Sequence, residues 1–181
     1  MVLCDMLQLA DDFSKPPTKR VTLVLYAEDR DRLARLMEHL GAPSMAICLR
    51  YALRLYESFM TQQSELEKQL PDRDHKGPHF WKLYWVKDGQ ASRANVPLYG
   101  RHKRDRENRP LTLDLGPEDL ERFRRLSLLI SNRSSSNSLR YAAKLYEALL
   151  IEKEMYPDHI LCWVRGTKAV KARIPFAQNR Q

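Results

Sequence analysis

The chemistry on offer in this sequence is carried by basic side chains set among aromatic ones on two short runs. Leu83 to Leu98 registers with Leu161 to Phe176, and Asp88-Gly89 in one and Gly166-Thr167 in the other are turn residues, so each run reads as a β-hairpin. Lys82, Lys87 and Arg93 in the first, and Arg165, Lys168, Lys171 and Arg173 in the second, are candidates for contacts to phosphate or a nucleic-acid groove; a solvated basic face weighs equally. Ala94 and Val96 alternate with Arg93 and Asn95, as Ala172 and Ile174 do with Lys171 and Arg173. One face of that strand is expected to pack and the other to be mainly basic. Trp81, Tyr84, Trp85 and Trp163 have ring faces on which bases could stack, but two of the tryptophans recur at core-like strand positions, and core packing is the expectation.

Other chemistries lack their residues. His75 and His79 have helical metal spacing, yet they sit in a Pro/Gly loop with no supporting Cys or third ligand, so neither a metal nor another cofactor is expected. There is no Gly-rich phosphate loop, nucleophile elbow or repeated acid/base pair, and the chain is expected not to be an enzyme.

The distribution of charge points the same way as the hairpins. Of 181 residues, 43% are hydrophobic and 30% charged, which suits a folding chain of one or two small domains. The net charge of +8 is uneven: residues 20–70 and 111–154 each hold seven basic and seven acidic residues, whereas 71–110 carry +5 and 155–181 carry +4. A basic balance confined to the segments after two neutral ones suits a polyanionic partner. Cys4, Cys48 and Cys162 are odd in number and far apart, which suggests a reducing compartment, and no apolar run approaches the length of a signal or membrane segment. A soluble, cytoplasmic protein is expected.

What must position these side chains is a duplicated unit. Arg20 to Met60 returns ninety residues later without a gap: Thr22 on Thr112, Glu28-Asp29 on Glu118-Asp119, Arg32 on Arg122, Arg35-Leu36 on Arg125-Leu126, Ser44 on Ser134, Leu49-Arg50-Tyr51-Ala52 on Leu139-Arg140-Tyr141-Ala142 and Leu55-Tyr56-Glu57 on Leu145-Tyr146-Glu147. Val21, Leu23 and Leu25, like Leu111, Leu113 and Leu115, alternate as a short strand. Acidic residues then open a helix with an apolar stripe at Leu33, Leu36, Met37 and Leu40, matched by Leu120, Phe123, Leu126, Leu129 and Ile130. Gly41-Ala42-Pro43 and Ser131-Asn132-Arg133 break it, and Ser44 and Ser134 are natural N-caps for a longer, more apolar helix. A forty-residue unit with a lone strand cannot bury enough surface by itself. Two copies in one chain are expected to pair their strands antiparallel and pack their second helices across a pseudo-twofold axis, an α+β fold with a β-hairpin after each unit.

The expected organisation is an arm at 1–19, with a short amphipathic helix over Met1 to Phe13; a first unit at 20–70; a loop, basic hairpin and charged linker at 71–109; a second unit at 110–156; and a second basic hairpin and tail at 157–181.

Strand, helix, Gly or polar turn with a Ser cap, then a long apolar helix resembles the ribbon-helix-helix superfamily of the Arc and methionine-repressor type. The resemblance rests on Arg20-Val21-Thr22-Leu23-Val24-Leu25, Glu28-Asp29, Gly41 with Ser44, and their counterparts at Leu111 to Leu115, Glu118-Asp119 and Ser134. It covers about half the chain, as two units in tandem, and the hairpins lie outside the family pattern. It implies an intramolecular two-stranded ribbon in the major groove of double-stranded DNA, with Arg20, Thr22 and Val24 and, opposite them, Pro110, Thr112 and Asp114 facing outward. Val24 would meet a thymine methyl, and Asp114 would accept from cytosine N4. Ser44 and Ser134, with Arg133, would clamp phosphate at the second helices' N-termini. The expected role is a transcriptional repressor or a plasmid or phage accessory factor whose two unlike strands read a non-palindromic half-site. Two associated chains would read two half-sites. The rival expectation is a protein-interaction module, antitoxin- or inhibitor-like, on the same fold.

Overall fold

A computed structural model of the chain describes residues 19–69, 81–98, 108–129 and 135–175. The expected N-terminal helix, the His75/His79 loop and the break at residues 131–133 lie outside the described residues. The described residues form a mixed α+β fold of four helices and two antiparallel sheets.

Period-two alternation yields β1 (Lys19–Tyr26) and β4 (Asn108–Leu115), which pair antiparallel as a two-stranded ribbon. Each unit continues into a short helix, α1 (Ala27–Leu40) or α3 (Pro117–Leu129). Asp29 in the first turn of α1 accepts the Tyr26 backbone N–H at 3.3 Å, which supplies a partner to one of the donors a helix start leaves over. Gly41 ends α1 at φ 58°, a left-handed conformation that favours glycine, and the Ala42 N–H reaches back to the Met37 carbonyl at 3.0 Å. The long helices α2 (Met45–Gln69) and α4 (Ser135–Met155) follow. Their apolar faces meet each other in a core that includes Leu49, Leu53, Tyr56 and Phe59 with Leu139, Leu145, Tyr146 and Leu149.

The two hairpins are β2 (Lys82–Lys87) with β3 (Gln90–Arg93), and β5 (Ile160–Arg165) with β6 (Lys168–Lys171). Their turns have positive φ at Asp88, Gly89 and Gly166, as tight hairpin turns require. The strands stop at Arg93 and Lys171, shorter than the alternation through Val96 and Ile174 suggests, although Ala94 and Ala172 each add one further backbone bond. The hairpins do not stand apart. β2 pairs with β5, which makes one four-stranded antiparallel sheet in the order β3-β2-β5-β6.

Repeat mates face each other in both sheets, as a pseudo-twofold axis between the halves would place them. Thr22 lies directly opposite its repeat mate Thr112 in the ribbon, and Tyr84 opposite its mate Cys162 in the sheet, so the axis passes through the centre of both. The same axis organises ion pairs between the units. Arg32 and Arg35 of α1 donate to Glu147 of α4 at 2.6 and 2.9 Å, and Arg122 and Arg125 of α3 donate to Glu57 of α2, each at 2.6 Å. Asp29 ion-pairs with Arg140 across the units at 3.0 Å, and Asp119 with Arg50 at 2.9 Å. Burial by itself would lower the Arg32 pKa, but the carboxylates of Glu28 and Glu147 more than offset it and hold the guanidinium charged. Both unit cores are electrically neutral because these repeated arginines answer repeated carboxylates. A charge with a partner in the other copy specifies which surfaces join.

The hairpins are exchanged in the same sense. The Glu152 carboxylate of α4, in the second unit, accepts the Trp85 indole N–H and the Asn95 backbone N–H at 2.6 Å each, holding the first hairpin. Its repeat mate Gln62 of α2 accepts the Arg173 backbone N–H at 2.7 Å and the Trp163 indole N–H at 3.4 Å, holding the second. Each hairpin docks on the helix of the other unit. Trp81, Trp85 and Trp163 are 3%, 1% and 0% exposed, so the expected core packing of these rings holds.

Candidate nucleic-acid interface

Two surfaces collect the side chains singled out by the sequence, and the helix pair lies between them. The first is the ribbon. Arg20, Thr22, Pro110 and Thr112 are exposed there, with Thr22 against Thr112 on the axis. Val24 and Asp114 are described by backbone register alone, opposite Pro110 and Arg20 respectively. Opposed residues of an antiparallel pair share a face, so Arg20, Thr22 and Val24 stand on one face with Pro110, Thr112 and Asp114. The ribbon set is therefore brought together.

Beside it, the Ser44 hydroxyl oxygen accepts the Ile47 N–H at 3.3 Å, the cap role expected of it at the start of α2. Arg133 and Ser134 lie outside the described residues. At the far end of β1, the Arg140 guanidinium stacks over the Tyr26 ring at 3.8 Å, which ties α4 to the ribbon.

The second surface is the four-stranded sheet. Its inner face carries Leu83, Trp85, Leu161 and Trp163 against the helices, so the alternate positions Lys82, Tyr84, Val86, Cys162 and Val164 look the other way. The hairpin bases divide accordingly. Register sets Arg93 beside Tyr84 and Lys171 beside Cys162 on the outer face, and both cations are exposed. Lys82 is half-buried on that face. Lys87, Arg165 and Lys168 have the opposite parity; Lys87 is held by Asp158 at 3.3 Å. Arg173 follows β6 and pairs with Glu65 of α2 at 2.9 Å. The seven hairpin bases therefore do not form one site.

Nor do the two surfaces adjoin. On α4, Arg140 meets the end of β1 and Glu152 meets β2, and the rise between those residues is about 18 Å. The ribbon's Leu25 and Leu115 and the sheet's Trp85 and Trp163 enter the same core, while both sheets are centred on the pseudo-twofold. The sheets consequently occupy opposite poles of that axis. A straight duplex lying along the ribbon does not reach the outer face of the four-stranded sheet.

Sequence reasoning missed Gln62 and Glu152, whose side chains lock the hairpins down. The signal was present, because they are ninety residues apart like the other repeat mates. Among the described residues no helix is long and apolar enough to cross a membrane. No family model matches the chain, and no curated protein or solved structure does so either.

Proposed function

We propose that the chain is a tandem ribbon-helix-helix pseudo-dimer that binds double-stranded DNA sequence-specifically, in the role of a repressor or a plasmid or phage DNA-processing factor. The observation that carries this reading is the two-stranded ribbon with Arg20, Thr22 and Thr112 exposed on it. A major groove about 12 Å wide admits such a ribbon, and Thr and Arg side chains suit base edges there. The exchange of ion pairs between units supports treating the chain as a covalently joined dimer, the form in which a ribbon of this kind has two strands. The unlike flanks of the central threonines, Arg20 against Asp114 and Val24 against Pro110, favour a target without a palindrome. This reading keeps the ribbon and drops the hairpin bases from the same duplex.

Gel shift against genomic fragments over a salt series tests it. The expected affinity falls with salt, by about 0.9 in the log-log slope for each neutralised phosphate. Thr22→Ala with Thr112→Ala should flatten discrimination between fragments. Binding that ignores salt, or its absence at low salt, overturns the reading.

A specific observation favours the protein-interaction alternative: Ile151 and Met155, one turn apart on α4, are 53% and 61% exposed, and Leu128 on α3 is 74% exposed. Leu128→Glu with Ile151→Glu separates the two, since DNA binding by the ribbon should survive it.

A further inference from the structure

The outer face of the four-stranded sheet carries side chains that the ribbon reading leaves aside. Across it runs one continuous row, Arg93–Tyr84–Cys162–Lys171, one residue from each strand, with an exposed cation at either end and an aromatic ring and a thiol between. The two cations stand about 14 Å apart across three inter-strand spacings. Above and below this row lie apolar side chains, Val86 beside Ile160 and Val164 beside Ala169, with Ile160 49% exposed. Lys82 adds a third cation, opposite Val164. The positions facing outward on the four strands include no carboxylate, and among the described residues neither Lys82, Arg93 nor Lys171 has an ion-pair partner.

We propose that this face binds single-stranded nucleic acid, with Arg93 and Lys171 holding phosphates and Tyr84 and its aliphatic neighbours carrying unstacked bases. Charge selects the class of partner. A second copy of the chain would bring the same three cations face to face, which is repulsive, whereas a polyanion complements them. Apolar surface then selects the form. A duplex presents phosphates and hides the faces of its bases, so it would leave the sheet's centre against charge; a single strand offers base faces to Tyr84 and the valines and phosphates to the rim. The site shares no residue with the ribbon and stands at the other pole, so it gives the protein a second nucleic-acid surface and a means of bridging a duplex and a displaced strand.

The test uses the full chain in anisotropy titrations against a labelled mixed-sequence single-stranded oligonucleotide and its duplex. Arg93→Glu with Lys171→Glu should weaken single-strand binding by about tenfold or more, and Tyr84→Ala by about five- to tenfold. A charge-matched control, Lys168→Glu with Arg54→Glu, changes exposed positions off this face and should shift it less than about threefold. Circular dichroism in the near ultraviolet, reporting the buried tryptophans, verifies that each variant is folded. The proposal is overturned if the wild-type chain does not bind the single strand, if the control loses as much as the face variant, or if the face variant weakens duplex binding equally. Loss of single-strand binding on Arg20→Glu would overturn it too, because that residue belongs to the ribbon. Failure of the ribbon reading shows instead as absent duplex binding with the single-strand results intact.

Discussion

Asp29→Asn and Asp119→Asn are the same substitution at repeat-equivalent positions, and the structure assigns them different costs. Asp29 is 2% exposed and faces two guanidiniums: Arg32, whose side chain is 9% exposed, at 3.1 Å, and Arg140, whose side chain is 6% exposed, at 3.0 Å. The Arg140 Nε is near enough to Asp29 for an ion pair, but its N–H is not aligned as a hydrogen bond to it. Asp29→Asn leaves Arg32 its contacts to Glu28 and Glu147 and Arg140 its contacts to Asn137 and the Tyr26 ring. It nevertheless takes the carboxylate from between two guanidiniums that have little access to water, and breaking such a buried pair costs about 3–5 kcal/mol. Asp119 faces Arg122 at 3.0 Å, with that side chain 13% exposed, and Arg50 at 2.9 Å, with its side chain 35% exposed. Arg50 can be rehydrated, so the expected cost there is about 1–3 kcal/mol, the desolvation of one charged group in part relieved. With a urea dependence of about 2 kcal/mol per molar, Asp29→Asn should lower the unfolding midpoint by about 2 M and Asp119→Asn by about 1 M. Urea titrations followed by far- and near-ultraviolet circular dichroism give both numbers. Equal shifts, or a shift below about 0.5 M for Asp29→Asn, would refute the claim that the burial of Arg140 and Arg32 sets the difference.

Three further outcomes follow from the packing. Glu152→Gln should cost less than about 1 kcal/mol, because Gln62 makes the equivalent bonds in the other half, whereas Glu152→Ala strands the Trp85 and Asn95 donors and should cost about 2–4 kcal/mol by chemical denaturation. A comparable loss for both would show that the charge of Glu152, and not its acceptor geometry, is what matters. Burial pushes the Cys48 thiol up to about 11, and burial raises Cys162 too, with Lys171 acting against it. Mass-spectrometric mapping of iodoacetamide labelling near pH 8 should therefore find Cys162 modified well before Cys48, which is fully buried; simultaneous labelling of the native protein would contradict this burial. Gly41→Ala places a β-carbon at φ 58° and should destabilise by about 1 kcal/mol in thermal unfolding, despite the open space around it.

Much of this architecture is written locally. Period-two alternation at Val21 to Leu25, the apolar stripe from Leu33 to Leu40, the glycine at position 41 and the serine at 44 each prescribe a strand, a helix, its end or the next helix's start through sterics and hydrogen bonds within a few residues. The Asp88-Gly89 and Gly166-Thr167 turns belong with them, and so does the tryptophan placement, since aromatic bulk at alternate positions marks the face that must leave water. The repeat itself carried the antiparallel ribbon, because a strand at ninety-residue spacing has its mate as the natural partner.

The pairing of Tyr84 with Cys162 had no such local sign. A hairpin's outer edge can pair with any strand of matching register, and only the positions at which α2 and α4 hold Trp163 and Trp85 bring β5 and β2 together. The same holds for charge. Composition placed the excess basic residues after each unit, but seven bases on two hairpins look equivalent until register divides them into those on the outer face, those of opposite parity and those engaged by Asp158 or Glu65. What the sequence determined by itself was the elements and their duplication, which depend on neighbours along the chain. What tertiary structure decided was the merging of the hairpins and the separation of two surfaces at opposite poles of one axis, because contacts between residues far apart in sequence depend on how the helix pair positions them.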